Sequence, residues 1–275
     1  MTNMVATRDA YGEALKELGG LNKDIVVLDA DLSGSTKTSV FRKAYPKRFF
    51  NVGIAEQSLI GTAAGLAAAG KVPFASTFAV FATGRAFEII RNSVCYPKLN
   101  VKIAATHAGL MVGEDGATHQ ALEDLSLMRS LPNMVVLNPA DAVEAKQCIY
   151  KAAEYNGPVY IRLGRSKVPV IFDDSYKFEI GKGIELKAGQ DITIIATGVM
   201  VEKALLAAEE LSKEGISARV INMASIKPID KDIIIKAANE TKGIVTVEEH
   251  NIIGGLGSAV AEVVVENRPT YIERI

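Results

Sequence analysis

The stretch Arg48-Phe49-Phe50-Asn51-Val52-Gly53-Ile54-Ala55-Glu56-Gln57-Ser58-Leu59-Ile60-Gly61-Thr62-Ala63-Ala64-Gly65-Leu66 reads as a short β-strand turning directly into a helix of small and apolar residues. Continued by Ala67, Ala68 and Ala69, such a helix has no polar face to give to water, so it is expected to be buried and packed at close range. Glu56 is the exception. It stands in the first turn, where the helix dipole and free N–H groups favour an anion, on a segment headed for the interior. A buried carboxylate in that position pairs, protonates or binds something.

The same strand-to-helix unit recurs on both sides of this stretch. Upstream, an amphipathic helix over 8–18 precedes the apolar run 24–31, which has the pattern of a strand buried on both faces. It ends in Asp31-Leu32-Ser33-Gly34-Ser35-Thr36, at the strand end where open α/β sheets bind ligands; the loop suits either hydroxyl and phosphate contacts or a plain turn with a helix N-cap. Downstream, 72–77 reads as a strand followed by a helix over about 79–94. Phe78 and Phe81 share one side of that junction, either as core or as a wall for a flat ring. Further strands at 101–106, 134–137 and 159–163, with a helix over 141–155, predict a doubly wound, mostly parallel sheet.

Between two of those strands lies Thr106-His107-Ala108-Gly109-Leu110-Met111-Val112-Gly113-Glu114-Asp115-Gly116-Ala117-Thr118-His119-Gln120. Two of the chain's 3 histidines fall here, with two acids and several glycines, more titratable groups than a connector needs. His107 and His119 are too far apart, and too poorly accompanied, for a zinc ligand set, so hydroxyl, phosphate or proton handling fits better. The segment 171–190, with Asp173, Asp174, Lys177 and Lys182, reads as a linker with some edge structure. Strands at 191–198, 218–223, 243–248 and 270–274, with helices after the first three, then form a second, smaller α/β domain. Its turn Glu248-Glu249-His250-Asn251-Ile252-Ile253-Gly254-Gly255-Leu256-Gly257-Ser258 suits either an anion at a helix N-terminus or close helix packing. The domains are therefore expected at 1–170 and 191–275, the second cut short at its strand-like end.

At 275 residues, 48% hydrophobic and with a net charge of −1, the chain has ample core and lacks the basic clusters of nucleic-acid or membrane-surface binders. Cys95 and Cys148 sit in apolar helical patterns, and no signal peptide or long apolar span is visible. A cytoplasmic setting is the default expectation.

The order of Asp31-Leu32-Ser33-Gly34-Ser35, Gly53-Ile54-Ala55-Glu56-Gln57, Thr77-Phe78-x-x-Phe81, His107 with Gly113-Glu114-Asp115-Gly116-x-Thr118-His119, Arg129-Ser130-Leu131-Pro132-Asn133, Asn138-Pro139-Ala140-Asp141 and Leu163-Gly164-Arg165 closely resembles the C-terminal half of transketolase. The resemblance covers essentially the whole chain: a pyrimidine-binding domain, then the C-terminal domain. It is strongest to the separate C-terminal subunit of a split transketolase, since the chain begins with Met where that half starts. It implies thiamine-diphosphate-dependent transfer of a two-carbon ketol unit between sugar phosphates, the chemistry of the pentose phosphate pathway. By resemblance Glu56 bonds the pyrimidine ring nitrogen and drives its tautomerisation, Phe78 and Phe81 stack on the ring, and Asp31 lies near the cofactor. Gly84 stands where the family often has a third aromatic. Asp115 and His119 contact donor hydroxyl and carbonyl oxygens, with His119 also catalytic, while His107, Arg165 and Ser35 hold the sugar phosphate.

The Gly-Asp-Gly and later Asn that hold diphosphate and Mg²⁺ in this class do not occur in the chain. No metal ligand is therefore expected here. The resemblance implies a partner subunit carrying the diphosphate-binding domain, and a dimer of such heterodimers. Other readings are the β subunit of a 2-oxo-acid dehydrogenase or a deoxyxylulose-phosphate synthase fragment, against which the His107 to His119 block argues, and a non-catalytic partner subunit.

Overall fold

Runs such as Ile25-Val26-Val27-Leu28 have no polar face to leave in water, and the chain buries them in parallel sheets covered on both sides by helices. The computed structural model describes residues 3–173 and 175–275; Met1 and Asp174, used above in reading the chain's start and its linker, lie outside the described residues. Strand β1 (Met4–Ala6) leads into helix α1 (Thr7–Leu21), and β2 (Ile25–Asp29) is followed by the short helices α2 (Ser33–Thr36) and α3 (Ser39–Ala44). Strand β3 (Phe49–Asn51) turns into α4 (Glu56–Ala68), β4 (Val72–Ser76) into a helical stretch containing α5 (Phe87–Ile89), and β5 (Lys102–Ala105) through a long loop into α6 (Asp124–Ser130). Strand β6 (Val135–Leu137), helix α7 (Ala142–Glu154) and strands β7 (Val159–Arg162) and β8 (Lys167–Pro169) complete the first half. The second half runs β9 (Ile184–Lys187), β10 (Ile192–Ala196), α8 (Met200–Lys213), β11 (Ala218–Asn222), β12 (Ser225–Lys227), α9 (Lys231–Glu240), β13 (Gly243–Val247), α10 (Leu256–Asn267) and β14 (Tyr271–Arg274).

The larger sheet has 7 strands in the order β12-β6-β7-β5-β4-β2-β3, all parallel except β12. The smaller has 5, in the order β14-β13-β10-β11-β9, parallel except for the edge strand β9, which lies in the segment read as a linker. Two doubly wound, mostly parallel α/β units are what the apolar runs predicted. What they did not predict is that β12, from the second half, pairs with β6 of the first sheet. The buried Glu144 ties the halves further, accepting from Ala140 N, the Tyr176 hydroxyl and Asn222 Nδ2.

Two expectations are corrected. Helix α4 is not buried all round: Leu59, Ile60, Ala63 and Ala64 face the core, whereas Gly61, Thr62, Gly65 and Ala68 are exposed. Small residues allow close packing, but among the described residues a Cβ on Gly61 or Gly65 would meet no atom within 4 Å. The helix expected over 79–94 is broken into π-helical turns at Phe81–Arg85 and Ile90–Cys95 around α5. Thr83 bonds back to the Ala79 carbonyl at 2.8 Å, a contact that bends helices, and Gly84 weakens the turn.

Candidate active site

The C-terminal ends of the neighbouring strands β7, β5, β4, β2 and β3 open onto one edge of the larger sheet, the ligand-binding edge of doubly wound folds. Glu56 enters from the turn after β3. Its carboxylate is 2% exposed, and Arg85 Nη1 donates to Oε2 at 2.8 Å. Arg85, itself half exposed, lies over the Phe81 ring at 4.8 Å from its centroid. The burial problem posed by the sequence thus has a local answer: the π turn after β4 carries a guanidinium back to the acid. Sequence reasoning missed Arg85, because regular helical spacing does not predict that reach.

Beside this pair the aromatic side chains cluster. Phe78 and Phe81 stack at 6.1 Å and 14°, Phe78 lies on the His107 ring at 3.9 Å, and His119 meets Phe81 edge-on at 5.3 Å. Phe78 is buried by His107 and Phe81 is half-buried. The bridge between Phe78 and Thr106, with Ala79 N bonded to the Thr106 carbonyl at 2.8 Å, fixes the two strand ends that carry them. A carboxylate with a single exposed partner, next to a partly open aromatic face, fits a flat nitrogen heterocycle. Among the described residues no group of three His, Cys, Asp or Glu is placed to hold a metal ion.

The third part of the site is cationic. Arg8, in the first turn of α1, donates from Nη1 to the Ser35 carbonyl at 3.0 Å and to His107 Nε2 at 3.1 Å. Since a guanidinium only donates, Nε2 must accept, so Nδ1 carries the proton and donates to Thr106 Oγ1 at 2.8 Å. Burial, then the neighbouring Arg8, push the His107 pKa down to about 4, so the ring is neutral at pH 7. Burial also lowers Arg8, with Arg165 adding to the shift and Asp9 opposing it. Two neighbouring guanidinium groups, with Asp9 beside Arg8 and Glu114 and Asp115 no closer than 3.7 Å to Arg165, form the cationic side of the site. Arg8 Nε is buried with no hydrogen-bond partner among the described residues. Arg8 was also missed; an arginine opening an amphipathic helix looks like surface until the fold places α1 against the loop after β2.

Arg165 Nη1 donates to the Val112 carbonyl and lies 3.9 Å from Asp115 Oδ2, while Nη2 lies 3.7 Å from Glu114. His119 is half-buried, with Nδ1 paired to Thr118 Oγ1 at 2.9 Å. Phe78, Phe81, His107 and His119 thus form one cluster, and Arg8, Ser35, His107, Arg165 and Asp115 adjoin it. Asp31 is placed apart from these contacts. Held at φ 65°, it pairs with Asn51, whose Nδ2 donates to its Oδ1 at 2.8 Å. The buried acid of that loop is Asp29, which accepts from Leu32 N, Thr36 Oγ1 and Thr38 Oγ1. Burial raises its pKa and those donors oppose the rise.

The glycine turn of the second domain holds no external anion. Glu248 already fills the N-terminus of α10, accepting from Leu256 N at 2.7 Å and Gly257 N at 2.8 Å, and a Cβ on Gly255 would fall 2.0 Å from Glu248 Oε2. Gly255 lets this carboxylate approach, while Gly254 lies against Ser126 and Gly257 against Thr246 and Arg274.

Two family models match the chain: the transketolase pyrimidine-binding domain over residues 3–170 and the transketolase C-terminal domain over 181–275. A protein of Methanocaldococcus jannaschii named as a transketolase C-terminal section is 58% identical over 262 residues, covering 94% of this chain and 82% of that one. A 6-deoxy-6-sulfo-D-fructose transketolase subunit of Clostridium sp. is 42% identical, covering 98% and 83%. A solved structure described as a split gene transketolase, inactive beta4 tetramer, is 63% identical with a TM-score of 0.93, covering 99% of this chain and 89% of its own. Human transketolase is 41% identical, and this chain spans 42% of its length.

Proposed function

This chain belongs to the transketolase family, and from that premise we propose that it is the C-terminal subunit of a two-chain, cytoplasmic transketolase that moves a two-carbon ketol unit from a ketose phosphate to an aldose phosphate. The observation that carries the reading is the buried Glu56 carboxylate beside the Phe81 face, within one strand edge of the Arg8 and Arg165 cations. Buried, unpaired Cys95 and Cys148 suit a reducing compartment.

When bound, thiamine diphosphate supplies the nucleophilic carbon and electron sink for breaking the donor's carbon–carbon bond. Glu56 would hold the aminopyrimidine by its N1′ nitrogen and share a proton there, its low exposure keeping water from that proton. Phe78 and Phe81 would pack against the ring. Arg85 must then either share the carboxylate or swing out, which its exposure allows. His119 and Asp115 would bind the donor's hydroxyl and carbonyl oxygens. Arg8 and Arg165, with Ser35 beside them, would receive the phosphate, the guanidinium forks matching its geometry, while His107 would contribute to that subsite by holding Arg8 through Nε2. Asp31 would border the cofactor from the loop after β2. The diphosphate and its Mg²⁺ would be held by an N-terminal partner subunit, assembled as a dimer of heterodimers. The exposed small-residue face of α4 supports such a partner, and so does the similar split transketolase whose β tetramer is described as inactive.

The test is reconstitution. The chain is mixed with a transketolase N-terminal subunit, thiamine diphosphate and Mg²⁺, and ketol transfer from xylulose 5-phosphate or fructose 6-phosphate is assayed. Turnover that requires both chains is expected; an assembled pair that binds cofactor yet transfers no ketol unit from any ketose phosphate would reject the reading.

A further inference from the structure

The loop that carries Asp115 and His119 is gripped from outside its own domain. Its Leu110–Asp115 segment is 3-10 backbone broken by a kink at Gly113, and the peptide groups of Met111 and Val112 on the near side of that kink are held by side chains. The Met111 N–H donates to Glu249 Oε1 at 2.6 Å, the Met111 carbonyl accepts from Ser166 Oγ at 2.9 Å, and the Val112 carbonyl accepts from Arg165. Ser166 and Arg165 follow β7 in the same domain. Glu249 does not; it extends from the end of β13 in the second domain.

Glu249 is built into this position. Its side chain is 8% exposed, and Arg162, 4% exposed, approaches its Oε2 at 3.5 Å and donates to its own backbone carbonyl at 2.7 Å. Arg162 is fixed in turn by the fully buried Asp124 at 2.9 Å. Gly109, at φ 79°, lies so close that a Cβ would fall 2.2 Å from the Glu249 carboxyl carbon. Next to it, Asn251 ties the same second-domain turn to the loop's far end, donating to the Leu122 carbonyl through its backbone N at 3.0 Å and Nδ2 at 2.6 Å. An acid this well enclosed, whose one backbone donor among the described residues is the Met111 peptide of the loop that carries Asp115 and His119, serves that loop more directly than it serves the domain seam, which β12 and Glu144 already hold.

We propose that Glu249 is a positioning residue: through the Met111 N–H and the glycine at 109 it sets the conformation of the 110–116 turn, and thereby where Asp115 and His119 meet the donor sugar. This assigns the second domain a part in donor binding, and it rests on the transketolase reading. Glu249→Ala removes the acceptor, whereas Glu249→Gln keeps an oxygen for Met111 and nearly the same volume. Gly109→Ala pushes on the carboxylate from the other side.

The test has two arms on the full-length chain. Hydrogen exchange at the Met111 amide should speed up about 10-fold or more in Glu249→Ala and Gly109→Ala and stay near wild type in Glu249→Gln. In the enzyme assembled with its partner, the KM for the ketose phosphate should rise about 10-fold in Glu249→Ala with kcat within about threefold, and Glu249→Gln should recover most of it. Unchanged Met111 exchange in Glu249→Ala, or faster exchange with an unchanged donor KM, overturns the proposal. If the assembled wild type transfers no ketol unit, the functional reading falls instead, and the exchange comparison alone decides whether Glu249 holds the loop.

Discussion

The two flanks of the strand edge are finished to different degrees. On the side of the loop after β5, nearly every group is engaged within the chain: His107 uses both ring nitrogens, Arg165 holds a carbonyl and faces two acids, and the second domain reaches across to hold Met111. On the side of α4, one buried acid is paired with the half-exposed Arg85, and behind it a face of Gly61, Thr62 and Gly65 is exposed, with room for a Cβ at both glycines among the described residues. Polar groups that a fold completes by itself can be read as binding parts already in position. A buried charge and a close-packing face left uncovered point to a second surface that completes them.

That contrast can be broken or sharpened by substitution. The largest effect is expected on the α4 side: Glu56→Gln in the assembled enzyme should lower ketol transfer by roughly 10²–10⁴-fold, with the assembly intact by sedimentation. Retention of more than a tenth of the activity would remove Glu56 from the proton-handling role. On the finished side, Arg8→Ala should raise the KM for a phosphorylated donor by about 10–100-fold while leaving that for an unphosphorylated ketose nearly unchanged. Equal losses on both substrates would mean that Arg8 serves only to hold His107.

Smaller changes test the uncovered face and the buried imidazole. A Cβ on Gly61 meets no atom of the described residues within 4 Å, so in Gly61→Leu the isolated protein should unfold at the same temperature or higher, glycine being about 1 kcal/mol worse than alanine or leucine in a helix. Its association with the partner should weaken about 10-fold by overpacking, and undiminished association would show that this face is free in the assembly. His107 gives the smallest signal. With its pKa lowered from 6.5 to about 4, the unfolded chain takes up the proton first, so the folded state loses stability as pH falls from 6.5 toward 4 and keeps it fully above that range. His107→Gln should flatten that part of a plot of unfolding temperature against pH; an equally steep plot would show that the buried ring does not govern it.

How much of this was legible before the coordinates depended on range. Continuous apolar runs predicted the parallel strands, because burial on both faces leaves a signature within a few residues. The titratable density between His107 and His119 marked the loop for the same reason. Arg8 and Arg85 were not legible: each acquires its partner across the fold, and Arg85 does so through a π turn that helical spacing does not anticipate. The small residues of α4 predict burial because they fit close packing, but residue types alone do not say whether the packing partner is in the same chain. The turn at 254–257 has letters that suit an anion site and a packing device equally, and Glu248, which occupies it, lies 8 and 9 residues before the amides it accepts from.

The proposal at the centre is that this chain completes the sugar-binding flank and supplies only the pyrimidine side of the cofactor flank, which another polypeptide completes. Calorimetric titration of thiamine diphosphate with Mg²⁺ into the chain alone, and then into the chain assembled with a transketolase N-terminal subunit, tests it most directly. No binding in the micromolar range by the chain alone, and micromolar or tighter binding by the pair that Glu56→Ala weakens, is the predicted result. Micromolar binding by the isolated chain would contradict the account.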